Sequence, residues 1–218
     1  MISDASHYLA LAAAYARGAL AARGVDGALE LSDADAIDRG TELKLHRFKR
    51  TAQLPRVKAV IGSLRSFAPE RLIDLGSGRG AFVWPLLETI ASLAIVAVDV
   101  LGHRALLFEH VRRGGIARLA GVRADITRLP FADASVPCVT ALEVLEHLPG
   151  DGPEQAIAEA MRVAATVVIA SVPSHEDNNP EHVHLFDRRT LEARFLAAGA
   201  RRVAIDHVQG HIIAVATK

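Results

Sequence analysis

Cysteine, aromatic residues and net charge are all scarce in this chain. A single cysteine among 218 residues, Cys138, excludes an internal disulfide and argues against a cysteine-rich zinc site. It lies in an apolar run and reads as an inert core thiol. Lys+Arg and Asp+Glu both number 25, so no global field points to nucleic acid or an anionic membrane. Aromatic residues make up 5% of the chain, which leaves few rings to stack RNA bases. Phe48, Phe82, Trp84, Phe131 and Phe186 are the nearest candidates, and a nucleic-acid partner is disfavoured. Tyrosine occurs only at Tyr8 and Tyr15, neither with a lysine four residues on, so the Tyr-x-x-x-Lys pair of short-chain dehydrogenases is missing. No apolar run approaches the ~18 residues of a membrane span. The alanine-rich start lacks a basic leader, carries Asp4 and is interrupted by His7 and Arg17, so it reads as an ordinary helix. A cytoplasmic protein without a membrane partner is expected.

Half of the residues are hydrophobic, ample for one large core. Residues 4–22 predict a helix. An acidic stretch (Asp26 to Glu42) and a basic stretch (Lys44 to Lys58) follow. In the basic stretch Leu43, Leu45, Phe48 and Leu54 interleave with the charges, which predicts an amphipathic helix with a solvated basic face, paired with the acidic stretch. Pro55 suits the first turn of a helix reaching Phe67. From residue 71 apolar strands alternate with helices: strands at 71–75, 94–98, 119–123, 136–142 and 166–172, helices at 80–91, 103–114 and 153–163. This is the pattern of βαβ units and a parallel sheet covered on both faces. A helix at 188–198 precedes strands at 203–208 and 211–216, joined by Gln209-Gly210 and therefore antiparallel. The expected division is an N-terminal helical extension, 1–58, and an α/β domain, 59–218.

The stretch Arg71 to Gly80 carries the most information. A short apolar strand runs into Asp74 and then into Gly76, Gly78 and Gly80, with Ser77 between them. Glycines let the backbone turn and approach a ligand closely, and the next helix turns free N–H groups toward it. Gly76, Gly78 and Ala81 also fit a dinucleotide loop. A carboxylate at Asp74, however, repels a pyrophosphate and attracts an ammonium group, such as that of S-adenosylmethionine (SAM). Ligands of such sheets bind at the carboxyl ends of the strands. Asp99 ends the second strand, beside Val100, where it suits ribose hydroxyls. Asp125 follows the third, where it suits an adenine amino group with Ile126 against the ring. Glu143 ends the fourth. Helix capping accounts for one or two such acids, but less readily for four in register with a glycine loop.

Together DLGSGRG at 74–80, VDV at 98–100, ADITRLPF at 124–131 and ALEVLEHL at 141–148 resemble the class I SAM-dependent methyltransferases. The segment 182–200 is similar to one common after their fifth strand. The resemblance implies a doubly wound, Rossmann-like α/β fold: a seven-stranded, mostly parallel sheet with an antiparallel last strand. It implies SAM as methyl donor, with Asp74, Gly76, Ser77, Gly78, Gly80, Asp99, Val100, Asp125, Ile126 and Glu143 around it. The function expected is methyl transfer to a small molecule, most readily at a hydroxyl oxygen. The alternatives are 2′-O-methylation of RNA 3′ ends and a non-catalytic protein that keeps the fold. Residues 1–58 are expected to shape the acceptor pocket. The oligomeric state is left open.

Glu143, Glu146 and His147 are spaced i, i+3, i+4 and would share one face of a helix. With His182 or His184 as a fourth ligand they form a candidate site for Mg²⁺ or Mn²⁺, able to lower the pKa of an acceptor hydroxyl. This motif resembles that of ubiquinone-pathway O-methyltransferases and of small-RNA 3′-end methyltransferases, the latter with a downstream histidine like His184. Metal-free relatives share the segment too, and there Glu143 lies near SAM, Glu146 is structural and His147 packs. His147, His184 and Glu146 are the catalytic candidates; His175 and His182 flank a polar loop expected over the substrate. His7, His46, His103 and His110 are expected at the surface. His207 and His211 receive no role.

Overall fold

The computed structural model describes residues 5–50, 54–175 and 179–218. Among these, seven strands form one sheet in the order β3-β2-β1-β4-β5-β7-β6. The strands are β1 (Arg71–Leu75), β2 (Ala94–Asp99), β3 (Leu119–Arg123), β4 (Val136–Leu142), β5 (Ala164–Pro173), β6 (Arg202–Val208) and β7 (His211–Thr217). The helices are α1 (Leu9–Ala22), α2 (Asp33–Arg39), α3 (Pro55–Phe67), α4 (Val83–Thr89), α5 (Gly102–Arg113), α6 (Gly152–Val163) and α7 (Arg188–Ala197). The expected α/β alternation is therefore present, with ends shifted by a few residues. No helix among the described residues is long and apolar enough to cross a membrane.

The chain divides into two compact units, Met1–Ala52 with Ser77–Arg123, and Gln53–Gly76 with Ala124–Lys218. In the first, α1 packs on α5 at backbone distance. A Cβ on Gly18 would overlap the His110 carbonyl, and one on Gly114 the Ala14 carbonyl. Only glycine fits at those two contacts, and small alanines surround them: Ala12, Ala13, Ala14 and Ala16 are fully buried. A chain of tilted rings, Tyr15, Phe48, Trp84 and Phe108, with neighbouring centroids 5.0–5.4 Å apart, fills the rest of this core. His110 was expected at the surface but is half-buried, its ring edge-on to Tyr15 at 5.9 Å. Burial holds its pKa below the ordinary histidine value.

The second unit contains parallel pairs β1–β4 and β4–β5, then β7 antiparallel to both β5 and β6. The antiparallel terminal hairpin is thus as expected. Cys138 is fully buried on β4, and desolvation, with the Asp74 carboxylate adding to it, pushes its thiol up to about 12.

Two expectations for the N-terminal segment need correction. Helix α1 begins at Leu9, because Tyr8 N–H instead donates to Phe48 O at 2.8 Å and His7 bridges to Lys49; residue 4 lies outside the described residues. The basic stretch is not one helix. It forms a single 3₁₀ turn, Leu45–Phe48, before α3 starts at Pro55, with residues 51–53 outside the described ones. Leu43, Leu45 and Phe48 are buried as read, but Leu54 is exposed. Arg50 pairs with Glu88 of α4 (Nη1 to Oε2, 2.7 Å), and Asp33 of the acidic stretch is held by Arg17 of α1 (2.7 Å).

Candidate active site

Strand β1 is buried from Leu72 onward, so Asp74, one residue before its end, is only 2% exposed. In register with it on β4 stands Thr140, whose Oγ1 donates to Asp74 Oδ1 at 2.7 Å. The chain then turns through Gly76, Gly78 and Gly80 with φ of 68°, 59° and 87°. These are left-handed values that side chains rarely adopt. At Gly76 a Cβ would lie 2.5 Å from the Val144 side chain, and at Gly80 it would overlap the Trp84 indole. Both positions therefore require glycine twice over, for conformation and for space.

Ser77 N donates to Val98 O at 3.0 Å, and Gly78 N to Asp99 Oδ2 at 3.0 Å. Asp99, 3% exposed, also accepts from Leu101 N at 2.9 Å and from Arg104 Nη1 at 3.3 Å. The glycine loop and the end of β2 are thereby one hydrogen-bonded piece. Val100 is 58% exposed beside it. Asp125 is exposed, with Oδ1 accepting from both the backbone N and the hydroxyl of Thr127 in an Asx turn, and Ile126 is buried.

The segment after β4 does not form the helix on which the shared face of Glu143, Glu146 and His147 depends. Glu143 has φ 56°, a left-handed value carried by a residue with a side chain, and only a short 3₁₀ turn, Leu145–His147, follows. The i, i+3, i+4 face is therefore not formed, and Glu143 does not join the other candidate ligands. Its Oε1 accepts from Ser171 Oγ at 2.9 Å, its Oε2 lies 2.9 Å from His211 Nε2, and Arg56 Nε is 3.8 Å away. Among the described residues the group able to hold a metal is Glu146, His147 and His182, with one ligand atom each within 4.8 Å of one another. Glu146 is fully buried. His147 Nδ1 stands 3.0 Å from Glu181 O. A carbonyl can only accept, so Nδ1 carries the proton and Nε2 keeps its lone pair. His184 is outside the group: its backbone N donates to Glu146 O at 3.2 Å, and its ring stands 6.1 Å from that of Phe186. One carboxylate and two imidazoles are a more nitrogen-rich set than the sequence suggested. They suit Mn²⁺ or another transition ion better than Mg²⁺.

Sequence reasoning missed Arg56, Ser171 and His211. The antiparallel register of β5 and β7, which sets Pro173 opposite His211, brings His211 to this end of the sheet. Residues 176–178 of the loop expected over the substrate lie outside the described ones.

Residues 73–166 match the family model described as a methyltransferase domain. No curated protein matches the chain. Among solved structures, a SAM-dependent methyltransferase from Aquifex aeolicus is similar over 74% of this chain and 96% of that one, at 18% identity and a TM-score of 0.59. Magnesium protoporphyrin IX methyltransferase from Synechocystis, with bound SAH, is similar over 75% of this chain and 82% of its own, at 15% identity and a TM-score of 0.60. A Nostoc punctiforme protein matches at 15% identity and a TM-score of 0.61; the match covers 75% of this chain but 56% of that one. At such identities the likeness is one of fold.

Proposed function

We propose that this chain is a SAM-dependent methyltransferase that methylates a small-molecule acceptor at a hydroxyl oxygen. When bound, SAM supplies an electrophilic methyl group on a sulfonium, so the chain's own task is binding, alignment and proton removal. The observation that carries the cofactor reading is the bond from Gly78 N to the buried Asp99 carboxylate. It fixes a glycine turn and an acidic strand end as one surface. Asp74, Gly76, Ser77, Gly78 and Gly80 hold the methionine part, Asp99 and Val100 the ribose, and Asp125 and Ile126 the adenine. Glu143 lies near the same ligand.

Proton removal falls to the end of β4. Glu146, His147 and His182 would hold a divalent ion, with His147 Nε2 the available lone pair, and the ion would supply a Lewis acid for the acceptor hydroxyl. Without an ion, His147 itself takes the proton, assisted by Glu146, and His184 stands next in line. A fully buried carboxylate at Glu146 is costly, and a cation beside it offsets that cost. The test is titration calorimetry of SAM and of Mn²⁺, followed by a screen of hydroxylated acceptors with and without chelator. SAM binding in both conditions supports the cofactor surface, and its absence in both overturns the reading. Stoichiometric Mn²⁺ binding lost in Glu146→Ala supports the metal; full activity in chelator removes it.

A further inference from the structure

The N-terminal unit contains a cavity of about 870 Å³ that has no part in the cofactor surface described above. Its construction follows from local backbone pairing. Residues 6–8 run against 48–50, with Tyr8 N donating to Phe48 O and Arg50 N to Ser6 O, both at 2.8 Å. This pairing sets His7 and Leu9 along one side. Helix α2 forms another side: Ala36 is fully buried, while Asp33, Ile37 and Asp38 line the space. Leu43 and Leu45 close it. The volume falls in the range of about 300–1,000 Å³ found for small-molecule sites, and aliphatic side chains dominate the lining.

Among the described lining residues the carboxylates are Asp33 and Asp38, and the basic groups are the imidazoles of His7 and His46. Asp33 is held by Arg17 at 2.7 Å, but Asp38 has no ion pair among the described residues. No lysine or arginine lines the cavity among those residues. His7 contributes no charge at neutral pH, since burial and the nearby Lys49 keep its pKa below the ordinary value. An anion here would meet two carboxylates and, as basic groups among the described lining residues, only the His7 and His46 imidazoles, whereas an ammonium group would find Asp38 unengaged. We propose that this cavity binds a small amphipathic amine, its apolar body against Leu9, Ile37, Leu43 and Leu45 and its ammonium at Asp38. The proposal stands apart from the methyl-transfer reading and does not depend on it.

Matched probes test it. Calorimetry of the full chain with phenylbutylamine and with phenylbutyrate varies the head group while keeping the apolar body the same. The amine should bind at least about tenfold more tightly than the acid, and Asp38→Asn should bring the two within about threefold. Ile37→Trp should fill the cavity and remove amine binding while leaving the SAM titration unchanged. Equal binding of the two probes, no binding of the amine, or a preference that survives Asp38→Asn would overturn the proposal. Asp38→Asn keeps the test decisive should Ile37→Trp fail to fold.

Discussion

Two turns leave the carboxyl ends of neighbouring strands, and both use left-handed backbone, yet they are built on opposite principles. The loop after β1 uses glycine at 76, 78 and 80, where positive φ carries no Cβ penalty. The space a side chain would need is taken by Val144 and Trp84 from outside. The turn after β4 puts the same kind of conformation on Glu143, at a cost of about 1–3 kcal/mol. Its side chain offsets that cost through Ser171, His211 and Arg56. The first turn offers backbone donors to a ligand, and the second aims charged side chains. A backbone-built surface tolerates no added atoms, whereas a side-chain-built one tolerates changes of shape but not of charge.

The contrast can be broken most severely at Gly80. Gly80→Ala would drive a methyl group into the Trp84 indole at a left-handed φ and should destabilise the fold by about 2–5 kcal/mol. Urea denaturation measures this, and a companion Trp84→Leu should restore part of the loss. Next comes Asp99→Ala, which removes an acceptor from Gly78 and Leu101 and should weaken SAM binding by roughly 1–3 kcal/mol. Unchanged affinity in calorimetry would remove Asp99 from the cofactor surface.

The Glu143 turn is sharpened by a pair of variants. Glu143→Gln keeps the strained backbone and loses the charge facing His211 and Arg56, which should cost about 1–2 kcal/mol. Glu143→Gly also loses the charge but relieves the backbone, so its unfolding midpoint should be no lower than that of the Gln variant. A much lower midpoint would show that the side chain's packing matters more than the strain.

The smallest effect concerns pH. The folded pKa of His110 is depressed, so its neutral ring favours the folded state. That contribution is fully present above the unfolded value of about 6.5 and is lost as pH falls below it toward the folded pKa. His110→Gln should therefore flatten the decline in stability between about pH 7.5 and 5.5. An unchanged slope would place the proton uptake elsewhere.

The legible parts of this chain were those specified by neighbours in sequence. β1, β3 and β4 stand where apolar runs between helical segments put them, and the glycine loop, Asp99 and Asp125 occupy strand ends as read. The illegible parts depend on distant partners or on backbone that side chains usually avoid. Glu143 was read as ending β4, and its left-handed φ of 56° left no trace there, because a glutamate does not signal that conformation. Its partner His211 reaches it through strand register, which leaves no local trace. His182 rather than His184 joins Glu146 and His147, and the chain there forms neither helix nor strand, so no periodicity in the sequence favours one over the other. The basic stretch failed as a helix because pairing of residues 6–8 with 48–50 overrode its spacing.

The position of β7 between β5 and β6 has a consequence for synthesis on the ribosome. β6 emerges before the strand that joins it to the sheet, and until residues 211–217 follow, it has no partner there. Over that interval β5, with Val167 through Ala170 almost wholly buried in the finished fold, presents an open apolar edge. A nascent chain stalled before His211 would keep that edge unpaired, the form of this protein most prone to self-association.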